Sequence, residues 1–129
     1  MQRKYKRVLL VDDNEIDNFT HEKILEKAGF AEGVAICDSG QDALEYLQKT
    51  TFDELPDIIF LDIMMPVMDG FSFLDKFDTL PGEIRKKCKV IMLSSSESFR
   101  DLNRANRNIY VAKFLNKPLT EAVLAAINV

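Results

Sequence analysis

The sequence predicts a single α/β domain in which helices cover both faces of a five-stranded parallel sheet. Five short apolar runs rich in Val, Ile and Leu recur along the 129 residues, which is typical of parallel strands buried on both faces. Segments with the helical spacing of apolar residues separate these runs, and such alternation indicates a doubly wound sheet with right-handed crossovers. No linker, repeat or low-complexity tract divides the chain, so we expect one domain over residues 1–129.

The predicted strands are short, as expected for runs bounded by polar or turn-forming residues. In chain order they are VLLV (8–11), VAIC (34–37), IIFL (58–61), VIML (90–93) and, more weakly, YVAKFL (110–115).

Five helices are predicted between and after these strands. The first covers about residues 15–28, and Gly29 is placed to end it. The second begins at SGQDALEYLQ, because Ser39 can cap it. The third helix follows the turn pair Asp69-Gly70, and the fourth covers about residues 98–107. The fifth corresponds to TEAVLAAIN at residues 120–128.

Bulk composition narrows the class of protein. The chain is 47% hydrophobic and 29% charged, with a net charge of −4, which is typical of a globular protein and provides no basic field for nucleic acid. No apolar run approaches the ~20 residues of a membrane helix, and VLLV is too short for the core of a signal peptide. We therefore expect a cytoplasmic protein that binds neither nucleic acid nor membrane.

The cysteines and the single histidine have ordinary structural interpretations. Cys37 and Cys88 are far apart and have no metal-ligand spacing, so we expect buried thiols. His21 lies in the charged stretch THEKILEK, which indicates a solvated helix face.

Polar residues follow four of the five predicted strands. They are Asp12-Asp13 after the first, Asp62 after the third, the three serines 94–96 after the fourth, and Asn116-Lys117-Pro118 after the fifth. The carboxyl ends of parallel strands meet at one edge of the sheet, where ligands bind. Taken alone, each residue could be a helix cap or a turn residue, but their joint occurrence predicts a shared site.

The charges at this edge point to a bound cation. Three carboxylates and one ammonium sum to a charge of about −2, which a divalent cation would bring near neutrality. Oxygen ligands without Cys or His favour Mg²⁺ over zinc. A metal beside Asp62 would also stabilise charge on an incoming phosphoryl group, and a carboxylate can act as its nucleophile.

The combination of DD after the first strand, LDIMMPVMDG at the third, Ser after VIML and KP after the fifth resembles the receiver domain of two-component response regulators. The resemblance covers essentially the whole chain and implies a flavodoxin-like sheet with strand order 2-1-3-4-5. It implies that Asp62 accepts a phosphoryl group, that Asp13 binds Mg²⁺ directly, and that Asp12 acts largely through water. Met64 would contribute its backbone carbonyl to the metal.

The resemblance also bears on the lifetime of the phosphoryl group. In this family the side chains at the positions of Met64 and Ser96 influence the access of water to the phosphoryl group. The apolar side chain of Met64 therefore predicts a long-lived phosphoryl group.

The same resemblance implies roles for the later strand ends. The Ser94 hydroxyl and the Lys117 ammonium would bind the phosphoryl oxygens, and the bond to Pro118 would be cis. Phe114 matches the aromatic residue whose rotamer follows activation.

The implied function is signalling rather than independent catalysis. A phosphohistidine on a sensor histidine kinase or a histidine phosphotransfer protein would donate the phosphoryl group, and the domain would take part only in its own phosphorylation and slow dephosphorylation. With no residues left for an output domain, we expect a stand-alone receiver. It would act on a protein target through the fourth predicted helix, fifth strand and fifth predicted helix, or relay the phosphoryl group onward. One face of that fourth helix carries three arginines, Arg100, Arg104 and Arg107. This face is either a solvated stripe or a docking surface for an acidic partner.

Three alternatives stay open at this point. A haloacid-dehalogenase-like phosphatase also uses a strand-end Asp and Mg²⁺, but it has a second Asp two residues later, where this chain has Met64. A flavodoxin-like cofactor carrier needs a hydroxyl- or Gly-rich phosphate loop, whereas DDNEID follows the first strand here. A non-phosphorylated, receiver-like scaffold is the third, although all the matching acidic and basic positions are filled.

Overall fold

A computed structural model describes residues 4–95 and 98–129. Ser96, one of the two residues predicted to influence water access, lies outside the described residues. The elements are β1 (Tyr5–Val11), α1 (Glu15–Lys27), β2 (Ala31–Cys37), α2 (Gly40–Lys49), a 3₁₀ helix (Phe52–Glu54), β3 (Ile58–Asp62), α3 (Gly70–Phe77), α4 (Gly82–Lys87), β4 (Lys89–Ser94), α5 (Phe99–Asn106), β5 (Val111–Asn116) and α6 (Glu121–Ala126). All five predicted strands are present.

The sheet has the predicted order β2-β1-β3-β4-β5, and every neighbouring pair is parallel. All five residues of β3 are buried, because neighbours pair with it on both sides and helices cover both faces. The edge strand β5 consists of half-buried and exposed residues and has none that is fully buried. Its lower burial explains why its sequence is the least apolar of the five.

The helix count differs from the prediction, since residues 4–95 and 98–129 contain six α-helices rather than five. The additional helix is α4, six residues long with the sequence GEIRKK. It buries only Ile84, so it has no apolar stripe that a periodicity argument could detect. Pro81 precedes it at the N-cap position, where a missing N–H is harmless.

Polar side chains cap the other α-helices, and the sequence predicted one of these caps, Ser39. The Ser39 hydroxyl accepts the Asp42 N–H at the start of α2, and the Asp69 carboxylate accepts the Ser72 N–H at the start of α3. Gly29 follows α1 with φ of 61°, a left-handed conformation that favours glycine at helix ends.

The core lies in two layers, one on each face of the sheet. Alternate residues of β1 supply opposite layers: Leu9 packs with α2 and α3, whereas Leu10 packs with α1 and α6. The two cysteines are free and buried, as predicted. Burial is the main cause that raises the pKa of the Cys37 thiol to about 11 and that of Cys88 to about 12.

His21 is not on a solvated face, so that prediction is wrong. Its side chain is buried, and Nε2 accepts the Leu119 N–H at 3.3 Å. The contact holds α1 against the chain that follows β5, and no local sequence pattern could reveal a partner 98 positions away. Burial and the nearby Lys117 lower the pKa of His21, which favours the neutral ring that accepts this hydrogen bond.

We expect Gly70→Ala to destabilise the domain by about 1–3 kcal/mol, because overpacking a tight core costs that much. A Cβ at Gly70 would lie 2.9 Å from the Asp62 carbonyl oxygen and 3.0 Å from the Ile63 Cα. Urea unfolding measures the loss. Gly82→Ala is the matched control, since Gly82 also begins a short helix but its Cβ would meet only an Arg85 nitrogen at 3.5 Å. Equal stability of the two variants would contradict the prediction.

Candidate functional site

Four strands deliver polar groups to one edge of the sheet, as the sequence predicted. Asp12 follows β1 directly, and β3, β4 and β5 end on Asp62, Ser94 and Asn116. Because all strands are parallel, these carboxyl ends lie together. Asp12 and Asp62 are 4% and 5% exposed, so two carboxylates are buried side by side and require compensation.

Lys117 supplies part of that compensation. Its Nζ lies 2.6 Å from Asp12 Oδ2, 2.9 Å from Asp17 Oδ2 and 3.1 Å from Asp62 Oδ1. Burial alone lowers the pKa of Lys117, but the hydrogen bonds to Asp12 and Asp17 outweigh it and raise that pKa. The lysine is therefore a fixed positive charge at the centre of the site. The Lys117-Pro118 bond is cis, as predicted.

Asp17 also belongs to this cluster, although no sequence pattern predicts it. It lies in the first turn of α1, where acidic residues are common because they complement the helix dipole, so its sequence context gave no indication of a site role. The start of α1 also fixes Asp12. The Asn14 N–H donates to Asp12 Oδ1 at 3.0 Å, and Asn18 Nδ2 donates to the Asp12 carbonyl at 2.8 Å.

Asp62 has a perturbed ionisation. Burial and the neighbouring Asp12 charge raise its pKa to about 6, and Lys117 opposes the shift. At neutral pH the carboxylate is ionised in an environment that disfavours its charge. A bound group that neutralises or delocalises the charge of the Asp62 carboxylate would therefore be stabilised at this site.

The carboxylates fit a hard divalent cation. Asp12, Asp13 and Asp62 each offer one oxygen, and these three oxygens lie within 4.8 Å of one another. Asp12 and Asp62 are buried and Asp13 is exposed, so the cluster opens to solvent on one side and leaves room for water ligands. Mg²⁺ prefers such a set of carboxylates and retained waters.

The cluster lines a cleft of about 350 Å³. Met64 also lines it, with its side chain exposed, while the predicted role of its backbone carbonyl stays a prediction. Ser95 lines the cleft, whereas Ser94 is buried and accepts the Lys117 N–H at its carbonyl. Ser94 is therefore well placed to position Lys117, and its predicted hydroxyl contact stays a prediction.

The predicted switch residue lies farther along β5. Phe114 is half-buried and packs against the core layer that contains Phe71 and Met92. Beside it is a groove of about 390 Å³, lined also by Ser98, Phe99, Leu102 and Asn116.

Residues 8–128 match the family model of the response regulator receiver domain. The chain belongs to this family. The receiver domain is similar to protein PilG of Pseudomonas aeruginosa, with 34% identity that covers 94% of this chain and 84% of PilG. It is also similar to the histidine kinase CKI1 of Arabidopsis thaliana, with 33% identity over 87% of this chain. The chain spans only 11% of the length of that kinase.

Solved structures give the same family. The crystal structure of a two-component response regulator from Cytophaga hutchinsonii superposes with a TM-score of 0.89 at 31% identity, covering 96% of this chain and 93% of that one. Receiver domains are signalling domains of two-component systems, and they interact with histidine kinases and phosphotransfer proteins. Family membership therefore favours signalling over the phosphatase and cofactor-carrier alternatives. Within the described residues, every helix is too short or too polar to span a bilayer.

Proposed function

We propose that this receiver domain accepts a phosphoryl group on Asp62 from a phosphohistidine of a histidine kinase or histidine phosphotransfer protein. The observation that carries the proposal is the convergence of Asp12, Asp13 and Asp62 oxygens within 4.8 Å, with the Lys117 ammonium 3.1 Å from Asp62. A carboxylate oxygen of Asp62 attacks phosphorus, the phosphorus–nitrogen bond to imidazole breaks, and an aspartyl phosphate forms. The similarity to the histidine kinase CKI1 supports this class of donor.

The residues of the cleft have separate parts in this reaction. Asp12, Asp13, Asp62 and the Met64 carbonyl would hold Mg²⁺, which supplies charge stabilisation for the phosphoryl oxygens. Asp62 is the nucleophile, and its pKa of about 6 keeps it ionised at neutral pH. Lys117 already contacts Asp62, so it reaches the oxygens of a group attached there.

The signal would leave through the face formed by α5, β5 and α6. A phosphoryl group adds negative charge at the end of β3, and inward movement of Ser94 and Phe114 would shift a pre-existing equilibrium of this face. The groove beside Phe114 supports the proposal, because it provides space next to a half-buried ring. Relay of the phosphoryl group to a further protein is the other outcome that the site allows.

The arginine stripe on α5 is only partly free for docking. The Arg104 guanidinium lies 4.1 Å from the centre of the Phe71 ring, a cation–π contact between α5 and α3. Arg100 and Arg107 are exposed. Charge reversal at Arg100 therefore tests an acidic partner more cleanly than reversal at Arg104, which would also break the contact with Phe71.

Intact-protein mass spectrometry after incubation with acetyl phosphate and Mg²⁺ tests the proposed function. We expect the wild type to gain one phosphoryl mass and Asp62→Asn to gain none. Chelation of Mg²⁺ should also abolish the gain, and a purified phosphorylated histidine phosphotransfer protein is the second donor if acetyl phosphate is inert. Equal phosphorylation of Asp62→Asn would contradict the proposal by assigning the acceptor to another residue, and no transfer from either donor would favour the scaffold alternative.

We expect Met64→Asn to shorten the lifetime of the phosphoryl group. The Met64 side chain lines the cleft but has no group that can orient an attacking water, whereas an amide can donate and accept hydrogen bonds. The decay rate after removal of donor measures the effect. Val67→Asn is the control, because it adds the same amide to the same loop at an exposed position outside the cleft lining. Slower or unchanged decay in Met64→Asn would contradict the prediction.

A further inference from the structure

A second concave surface lies between α1 and α2, at the end of the edge strand β2. This α1–α2 groove has a volume of about 530 Å³ and shares no lining residue with the Asp62 cleft. Phe19 and Ile36 supply its apolar surface, and four carboxylates surround them: Glu15, Glu22, Asp38 and Asp42.

The apolar residues of the groove are exposed to an unusual degree for their size. Phe19 is 63% exposed and Ile36 is 41% exposed. Ile16, which precedes Phe19 by three residues on α1, is 75% exposed. Residues three apart on a helix are neighbours on its surface, so Ile16 extends the patch. Contiguous exposed apolar patches of this kind mark interaction sites.

The carboxylates lack cationic partners. Among residues 4–95 and 98–129, none of the four forms an ion pair with Lys, Arg or His. Asp38 raises the pKa of Asp42 through a side-chain hydrogen bond, as expected when two acids crowd each other. The rim is therefore a negative field that a cation would neutralise.

Asn18 gives an independent indication of a ligand. The residue is 6% exposed and lines the groove. Its Nδ2 donates to the Asp12 carbonyl, but among the described residues its Oδ1 has no hydrogen-bond partner. A buried acceptor without a partner is costly. A donor carried by an occupant of the groove would satisfy it.

We propose that the α1–α2 groove binds a basic amphipathic helix of a partner protein. Apolar side chains of the helix would cover Phe19 and Ile36, and Lys or Arg side chains would reach the four carboxylates, with one N–H donated to Asn18 Oδ1. A second copy of this chain fits poorly, because an isologous contact brings the same carboxylates together. Since the cleft and the groove share no lining residue, the inference does not depend on phosphoryl acceptance.

Titration with a synthetic peptide tests the proposal on the whole chain. The probe is a helical peptide of about 18 residues, long enough to form a helix on binding, with Leu at helical spacing and Lys and Arg on its flanks. A scrambled peptide of the same composition is the matched control. We expect NMR shifts centred on Asn18, Phe19 and Ile36 with the first peptide and much weaker binding of the second.

Variants locate the contact. We expect Phe19→Ala and the double change Asp38→Asn, Asp42→Asn each to lower the peptide affinity by at least about tenfold, as removal of a central anchor does. Phe99→Ala removes a ring of α5 that is even more exposed than Phe19 and should leave the affinity unchanged. Equal binding of both peptides, no binding, or insensitivity to the groove variants would overturn the proposal. A dimer in sedimentation that Phe19→Ala dissociates would also overturn it, by assigning the face to a second copy.

Discussion

Lys117→Met should cause a large loss of stability in the metal-free protein, and Mg²⁺ should restore much of it. The Lys117 side chain is 11% exposed, and it contacts the buried carboxylates of Asp12 and Asp62. Removing one partner of a buried ionic cluster leaves uncompensated charge, at a cost on the order of 3 kcal/mol. A divalent cation on the same carboxylates would replace the lost charge.

Urea unfolding with EDTA and with saturating Mg²⁺ measures this effect. Lys87→Met is the matched control, because Lys87 pairs with the partly buried Asp57, which lies before β3 at the opposite edge of the sheet. It should lose stability as well, but Mg²⁺ should not restore it. If Mg²⁺ stabilises both variants equally, the carboxylates near Lys117 do not form the metal site.

Asp62→Asn should stabilise the metal-free protein at pH 8. Burial and the Asp12 charge raise the folded-state pKa of Asp62 from 3.8 to about 6, so the folded protein loses stability as pH rises through this interval. The gap corresponds to about 3 kcal/mol, which is the upper limit of the expected gain and already includes the opposing contact with Lys117. The residue proposed to accept the phosphoryl group therefore lowers stability, as strained functional groups often do.

The free energy of unfolding at pH 4, 5, 6 and 8, measured in EDTA, checks this prediction. The difference between Asp62→Asn and the wild type should grow from pH 4 to pH 6 and then level off. Asp75→Asn, at an exposed position of α3, should show little difference at any pH. An Asp62→Asn variant that is less stable than the wild type at pH 8, with a parallel pH profile, would contradict the prediction.

Much of the fold could be predicted from the sequence because its signals are local. The five apolar runs correspond to β1–β5, and the Ser39 and Asp69 caps involve residues only three apart. Helix α4 could not be predicted, because six residues that bury a single isoleucine carry no helical pattern.

The site residues divide in the same way into those that local sequence signals predict and those that only long-range contacts reveal. The strand-end positions alone predict that Asp12, Asp62 and Lys117 lie together, and the structure brings them into contact. Asp17 and His21 are one turn apart on α1 and contact Lys117 and Leu119, about 100 positions away. Their sequence context is that of an ordinary charged helix, so only the packing of α1 against the end of β5 reveals their roles.

The position of the phosphoryl group tests the central claim most directly. Reduction of the phosphorylated protein with borohydride converts an aspartyl phosphate to homoserine, which peptide mass spectrometry then locates. We predict homoserine at position 62 alone, formed only when Mg²⁺ was present with the donor. Homoserine at position 12 or 13, or a modification at 62 that forms equally well without Mg²⁺, would contradict the proposed arrangement.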